Sequence, residues 1–134
     1  MGMNDPNLII IIPARKGSKR IPYKNRMIIN GKTLVERALL SGEEIANMLS
    51  YNYKLILTTD DQFFLENVND FENLIKIRRP SILSNSNSRM ADVVLHTLKN
   101  YGDNNTLVLL LQPSTPFREP KRISHEIKTI LDKK

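Results

Sequence analysis

The sequence predicts an α/β fold, with a mostly parallel sheet and helices on both of its faces. After a loose leader of residues 1–6, strand and helix patterns alternate to the end of the chain, as in successive βαβ units. Two strand segments, residues 8–12 and 106–111, are apolar apart from Thr106, which is typical of parallel strands that are covered on both faces. No repeat or low-complexity tract interrupts the alternation, so we expect residues 1–134 to form a single domain.

Local signals place the first elements. Residues 8–12 are a β-branched run without polar alternation, and we predict a strongly buried strand there. Residues 27–29 predict a short extended piece that ends at the Asn-Gly turn at 30–31. Thr33 and Glu36 have the spacing of a capping box, so a helix begins there. The predicted buried face of this helix consists of Leu34, Ala38, Ile45 and Leu49.

The remaining elements follow the same alternation. Further strands are predicted over residues 53–58 and 74–77, and further helices over residues 62–68 and 88–101. Asp60 and Asp61 follow the first of these strands, where N-capping of the next helix explains them better than metal binding does. Residues 106–111 predict another strongly buried strand, and Pro120 suits the first turn of a last helix. The predicted buried face of that helix consists of Ile123, Ile127, Ile130 and Leu131.

The loop after the first strand is strongly cationic. Its positive residues include Arg15, Lys16, Lys19, Arg20 and Lys24. No carboxylate occurs between Asp5 and Glu36. Such cations repel one another unless an anion is bound, and ligands of α/β sheets bind at the carboxyl ends of strands. The pattern indicates a site for a phosphate ester, although a charge run of this kind also occurs on ordinary solvated surfaces.

A second polar loop, residues 112–118, follows the strand at 106–111. In a doubly wound sheet whose order reverses beside the first strand, these two strands are neighbours and their loops open into the same crevice. Neither a GxxxxGK[ST] nor a GxGxxG motif is present, so the site is not a P-loop or a dinucleotide turn. His96 and His125 lack metal-ligand spacing, and we expect structural or surface roles for them.

Composition limits the classes of partner. The net charge of +6 favours nucleotides, nucleic acid or phosphorylated metabolites. Trp is absent and only eight residues are Phe or Tyr, so we expect no specific nucleic-acid binding. The chain has no cysteine and no apolar run of membrane-spanning length, and we expect a cytoplasmic protein without membrane contact.

Five segments together resemble one enzyme family. The first is PARKGSKRIPYKN at 13–25, and it is followed in order by LTTDD at 57–61, RRPSILS at 78–84, ADVVLHTL at 91–98 and LLLQPSTPFR at 109–118. The sequence is similar in these segments to the acylneuraminate cytidylyltransferases, that is, CMP-sialic acid synthetases and their legionaminic and pseudaminic acid relatives. The resemblance spans nearly the whole chain.

The resemblance implies a Rossmann-like nucleotide-diphospho-sugar transferase fold and transfer of CMP from CTP to a nonulosonic (sialic-type) sugar acid, with release of pyrophosphate. It implies magnesium as the cofactor. The residues that would bind the nucleotide are Arg15, Ser18, Lys19, Lys24, Asn25, Arg79 and Gln112. Of these, Arg15 and Lys24 would act in catalysis, and Asn25 would lie near the cytidine. The sugar acid would contact Gln112, Ser114 and Thr115.

Other readings of single residues stay open: Arg79 would equally suit a structural ion pair with a carboxylate, and Gln112 would suit hydrogen bonds to its own loop. The sequence also departs from the family pattern. Arg89 and Met90 stand where small or hydroxylated residues are expected. The second half of the family, which carries the magnesium-binding aspartates and a dimerisation element, is absent, so the fold is expected to be truncated. The alternative function is therefore a non-catalytic CTP/CMP-binding module, and a homodimer would need another contact.

Overall fold

The computed structural model describes residues 7–17, 23–84, 89–102, 106–114 and 118–132, so the predicted leader lies outside the described residues. The strands are β1 (Asn7–Ala14), β2 (Ile28–Ile29), β3 (Lys32–Thr33), β4 (Tyr53–Thr59), β5 (Leu74–Arg78) and β6 (Thr106–Leu110). The helices are α1 (Leu34–Leu49), α2 (Gln62–Asn67), α3 (Met90–Tyr101) and α4 (Pro120–Asp132). Single 3₁₀ turns occupy Lys24–Arg26 and Ser81–Leu83.

The main sheet has four parallel strands in the order β5-β4-β1-β6. The chain moves outward from β1 to β4 and β5, and then returns through α3 to place β6 on the other side of β1. The predicted α/β class and the predicted neighbours, β1 and β6, are therefore confirmed. The strand order reverses beside β1, which is where open α/β sheets bind their ligands.

Strand β1 is the centre of the hydrophobic core. Residues 8–14 of β1 are buried, because the strand is paired on both edges and covered on both faces. Its even-numbered residues pack in a cluster with α1, and Ile9 and Ile11 pack in a second cluster with Val94 and Leu98 of α3. Helices on both faces of the sheet are thus confirmed, and the apolar run is explained by this double cover.

The start of α1 is fixed by its own sequence. The hydroxyl of Thr33 accepts a hydrogen bond from the amide of Glu36 at 3.1 Å, and the carboxylate of Glu36 accepts one from the amide of Thr33 at 3.0 Å. The predicted capping box and the predicted buried face of this helix are both confirmed. Just before it, Asn30 and Gly31 have the positive φ angles of a tight hairpin turn between β2 and β3.

Two burial predictions are wrong. Strand β6 is only half-buried, because it forms one edge of the sheet that the structure describes and pairs there with β1 alone. In α4, Ile123 and Ile127 pack against the core as predicted, but Ile130 is 61% exposed. Within the described ranges, no helix has the length and apolar character needed to cross a bilayer.

Candidate functional site

The carboxyl ends of β1, β4 and β6 meet at one edge of the sheet. Because β1 pairs in parallel with β6, the loops after Ala14 and Leu110 leave the sheet at this edge. The amide of Leu111 donates to the carbonyl of Ile11 at 3.0 Å, which holds the second loop against β1. On the other side, the hydroxyl of Thr59 donates to the carbonyl of Ala14. The predicted convergence of the two loops is confirmed.

A cavity of about 210 Å³ lies between these loops. It is lined by Pro13, Arg15, Gly17, Lys24, Asn25, Arg79, Met90, Gln112, Pro113 and Ser114. The wall includes three cationic side chains, and none of the described residues that line it carries a carboxylate. The potential in such a cavity favours a negatively charged ligand.

Most of the residues predicted from the sequence meet in this cavity. Those that line it are Arg15, Lys24, Asn25, Arg79, Gln112 and Ser114. The other predicted site residues, Ser18, Lys19 and Thr115, lie outside the described residues. Lys24 from the first loop and Gln112 from the second therefore share one hollow, as the sequence predicts.

Arg79 is the most deeply buried cation of the site, with a relative exposure of 4%. Its Nη2 donates to the carbonyl of Thr58 at 3.1 Å and its Nη1 to the carbonyl of Leu83 at 3.2 Å, whereas its Nε has no partner among the described residues. Burial lowers the pKa of Arg79, the carboxylate of Asp60 opposes that change, and the charge of Arg15 lowers the pKa further. Among the described residues no carboxylate forms an ion pair with Arg79, and main-chain carbonyls accept from its Nη1 and Nη2 instead.

Asn25 connects the two ends of the cationic loop. Its side-chain amide donates to the main-chain carbonyl of Arg15 at 3.1 Å. The residue lines the cavity, where the resemblance puts the cytidine, and it also fixes the loop backbone. Sequence analysis assigns no such second role to Asn25, because its hydrogen-bond partner lies ten positions away and no local pattern links the two.

The adjacent residues Asp60 and Asp61 have different roles. Asp61 caps α2, since its carboxylate accepts from the amide of Phe63 at 3.1 Å, as predicted. The same carboxylate binds Arg26 through Nε at 2.9 Å and Nη2 at 2.6 Å. Asp60 instead accepts from the amide of Lys16 at 2.6 Å. Both carboxylates therefore hold the cationic loop, which sequence analysis did not foresee.

The second loop is closed by Arg118, which donates from Nη2 to the carbonyl of Gln112. Burial lowers the pKa of Arg118, and its buried Nη1 has no partner among the described residues. Ser114 is exposed at the mouth of the cavity. This loop thus contributes amide and hydroxyl groups opposite the cations of the first loop.

Met90, the first residue of α3, also lines the cavity. It is the position at which the sequence departs from the small or hydroxylated residue of the family pattern. Arg89 before it pairs with Asp92 on an exposed surface and does not line the cavity. Pro13 and Pro113 complete the wall, and sequence analysis assigned them no role because proline is common in any loop.

The described residues do not form a metal site. No group of three or more His, Asp or Glu side chains in the described ranges is arranged to hold a metal ion. Asp61 is already bound by Arg26 and Asp60 by the amide of Lys16. His96 and His125 lie on α3 and α4, and neither lines the cavity.

Comparison with known proteins decides the family. Residues 9–134 match the family described as "Cytidylyltransferase". The chain belongs to the cytidylyltransferase family. Among its relatives is a CMP-N,N'-diacetyllegionaminic acid synthase from Legionella pneumophila, which is 28% identical over 90% of this chain. A 3-deoxy-manno-octulosonate cytidylyltransferase from Pseudoalteromonas translucida is 32% identical over 92% of this chain.

This cytidylyltransferase chain spans about half the length of those relatives, 51% of the first and 45% of the second. Its fold matches a solved CMP:2-keto-3-deoxy-manno-octonic acid synthetase in complex with CTP, with a TM-score of 0.68 and 23% identity. The match covers 94% of this chain and 48% of that structure. The predicted nucleotidyltransferase fold is confirmed by this likeness.

Proposed function

We propose that the chain forms the CTP-binding part of an enzyme that transfers CMP from CTP to a nonulosonic (sialic-type) sugar acid and releases pyrophosphate. The observation that carries the proposal is the cavity at the reversal point of the sheet, where Arg15, Lys24 and Arg79 meet without a carboxylate among the described wall residues. The triphosphate of CTP supplies the negative charge that this wall favours.

The cations would act most strongly in the transition state. Negative charge grows on the phosphoryl oxygens as pyrophosphate departs, and fixed cations in a shielded cavity stabilise that charge. Arg15 and Lys24 are our candidates for this contact, because both belong to the loop that follows the central strand. Arg79, which lines the same cavity, would add its positive charge to the wall that faces the nucleotide.

Gln112 and Ser114 would bind the sugar acid or the ribose, since amide and hydroxyl groups recognise sugar hydroxyls by hydrogen bonds. The names of both relatives support a 2-keto sugar acid as the acceptor, and the legionaminic acid named for the first supports the nonulosonic class. Magnesium would be bound mainly through the phosphates of the nucleotide, because no group of three or more His, Asp or Glu side chains in the described ranges is arranged to hold a metal ion. We propose the cytoplasm as the compartment of this reaction.

Calorimetric titration with CTP, paired with a pyrophosphate-release assay on N-acetylneuraminate and magnesium, tests the proposal. We expect saturable CTP binding. Release of pyrophosphate by this chain would show that it also carries out the transfer reaction, and the absence of CTP binding would overturn the site. Lys24→Ala, which removes a cation from the cavity wall, should weaken CTP binding. Lys54→Ala is its matched control, because Lys54 is an exposed cation at the other end of the sheet and its removal changes the net charge by the same amount.

A further inference from the structure

The 3₁₀ turn Lys24–Arg26 contributes two residues to the cavity, yet none of its residues is buried. Tyr23, which precedes it, has a φ of 56°, a left-handed conformation that is uncommon for a residue other than glycine. Apolar packing therefore does not determine where Lys24 lies. Specific polar contacts must hold the turn in place.

Arg26 supplies the strongest of these contacts. Its Nε and Nη2 bind the two carboxylate oxygens of Asp61 at 2.9 and 2.6 Å, which is the bidentate geometry of a strong charged hydrogen bond. The carbon Cζ of its guanidinium lies 4.4 Å from the ring centre of Tyr23 and 4.7 Å from that of Phe63. Both distances are within the range of cation–π attraction.

Asp61 is a rigid anchor because it is attached to the sheet. It is 1% exposed, and its amide donates to the hydroxyl of Thr59 at 3.0 Å at the end of β4. Although burial raises the pKa of Asp61, its hydrogen bonds with Arg26 and Phe63 hold the pKa below the usual value. The carboxylate thus stays charged at neutral pH and maintains its ion pair with Arg26.

We propose that Arg26 is a positioning residue, which by its ion pair with Asp61 holds Lys24 and Asn25 in the cavity wall before a nucleotide binds. The charge of Arg26 is neutralised by Asp61, so it does not serve the ligand directly. Asp60 holds the other end of the same loop through the amide of Lys16. This inference rests on the proposed CTP site. It adds that the ion pair of Arg26 and Asp61 determines the shape of that site.

Arg26→Lys tests the role, because lysine keeps the charge but lacks the planar fork. We expect CTP affinity to fall roughly tenfold, because side chains that are no longer held in place must be ordered when CTP binds. Arg37→Lys is the matched control. Arg37 also holds this region, through the carbonyls of Ile29 at 2.7 Å and Asn30 at 2.9 Å, but it does not line the cavity. The CTP affinity of the Arg37→Lys variant should differ from that of the unmodified chain by less than about twofold.

Asp61→Asn separates positioning from direct contact. Asparagine caps helices as well as aspartate does, so α2 should remain folded, which circular dichroism checks. If Arg26 positions the turn, losing its anchor weakens CTP binding. If Arg26 were a direct phosphate contact, freeing it from Asp61 would tighten CTP binding, and that result would overturn the inference.

Hydrogen exchange of the amides at 23–27, measured without nucleotide, gives a readout independent of CTP. We expect faster exchange in Arg26→Lys than in the unmodified chain and in Arg37→Lys. Unchanged exchange together with unchanged CTP affinity would overturn the positioning role. Failure of the unmodified chain to bind CTP would instead reject the proposed function, while the exchange rates would still report on the anchor.

Discussion

Arg15 and Arg79 line the same cavity although both are positively charged. Burial lowers the pKa of Arg79 and the nearby charge of Arg15 lowers it further, while Asp60 only partly compensates. The folded chain without ligand therefore contains an unfavourable electrostatic free energy at this point. A bound anion would relieve it, which makes the stability of the fold depend on ligand and salt.

The first prediction follows from this repulsion. CTP or inorganic pyrophosphate should raise the free energy of unfolding, by about 2.7 kcal/mol at a ligand concentration one hundred times the Kd. The gain should shrink as the salt concentration rises, because ions screen the charges at the mouth of the cavity. Thermal unfolding at several salt concentrations measures both effects. Equal stabilisation by cytidine, which carries no phosphate, would contradict the charge argument.

Arg15→Ala and Lys24→Ala should weaken CTP binding but leave the fold intact. Both side chains lie in a loop that leaves the sheet and are only half-buried, so their loss should change the free energy of unfolding by no more than about 0.5 kcal/mol. Titration with CTP and thermal unfolding of each variant provide the two measurements. Unaltered CTP affinity in both variants would reject the assignment of these residues.

Arg79→Ala should reduce both binding and stability. The variant leaves the carbonyls of Thr58 and Leu83 without their guanidinium donors in a buried place, which costs roughly 1–3 kcal/mol. Urea unfolding measures that loss, and titration measures the loss of CTP affinity. A variant that binds CTP as tightly as the unmodified chain would show that Arg79 serves the fold alone.

The comparison of sequence and structure shows which features are locally determined. The capping box of Thr33 and Glu36 could be predicted because both partners lie within one turn of helix. The ion pair of Arg26 and Asp61 could not, since its partners are 35 positions apart and one cation in a basic loop looks like another. Ile130 follows the helical period, but the period does not reveal how far the neighbouring layer extends.

The site could be predicted in part, because the meeting of its two loops follows from the topology but some of its wall residues do not. Strand ends and loop composition sufficed to bring Lys24 and Gln112 together, because the topology of a doubly wound sheet determines where loops meet. The deep position of Arg79 and the presence of Met90 in the wall depend on contacts between residues that are far apart in the sequence, such as that of Arg79 with Thr58. Long-range contacts of this kind cannot be predicted from a local sequence pattern.

Gly42→Ala should destabilise the packing of α1 on the sheet. A methyl group at this position would lie 2.9 Å from Cδ2 of Leu55 and 3.1 Å from Cγ2 of Ile10, both fully buried. Overpacking of this kind costs roughly 1–3 kcal/mol, against a helix-propensity gain of about 1 kcal/mol from alanine. We expect a net loss in urea unfolding. Asn47→Ala on the exposed side of the same helix is the control and should not lose stability.

The stability of the chain should also depend on pH through Glu43. Burial raises the pKa of Glu43, a hydrogen bond from the main chain of Glu72 lowers it, and the charge of the Glu72 carboxylate raises it again, with a net increase. Because the folded state binds this proton more tightly than the unfolded chain, its stabilising contribution is present at low pH. It is lost as the pH rises through the folded pKa.

Glu43→Gln removes that titration. The variant should therefore gain stability relative to the unmodified chain as the pH increases from about 4 to 7, the range in which glutamate ionises. Urea unfolding at several pH values measures the difference, and Glu44→Gln, an exposed neighbour on α1, is the control. Tyr53 packs nearby, and burial followed by the charge of Glu43 raises the pKa of its hydroxyl, so it remains neutral throughout this range. A stability difference between Glu43→Gln and the unmodified chain that does not change with pH would show that burial of the carboxylate has no energetic consequence.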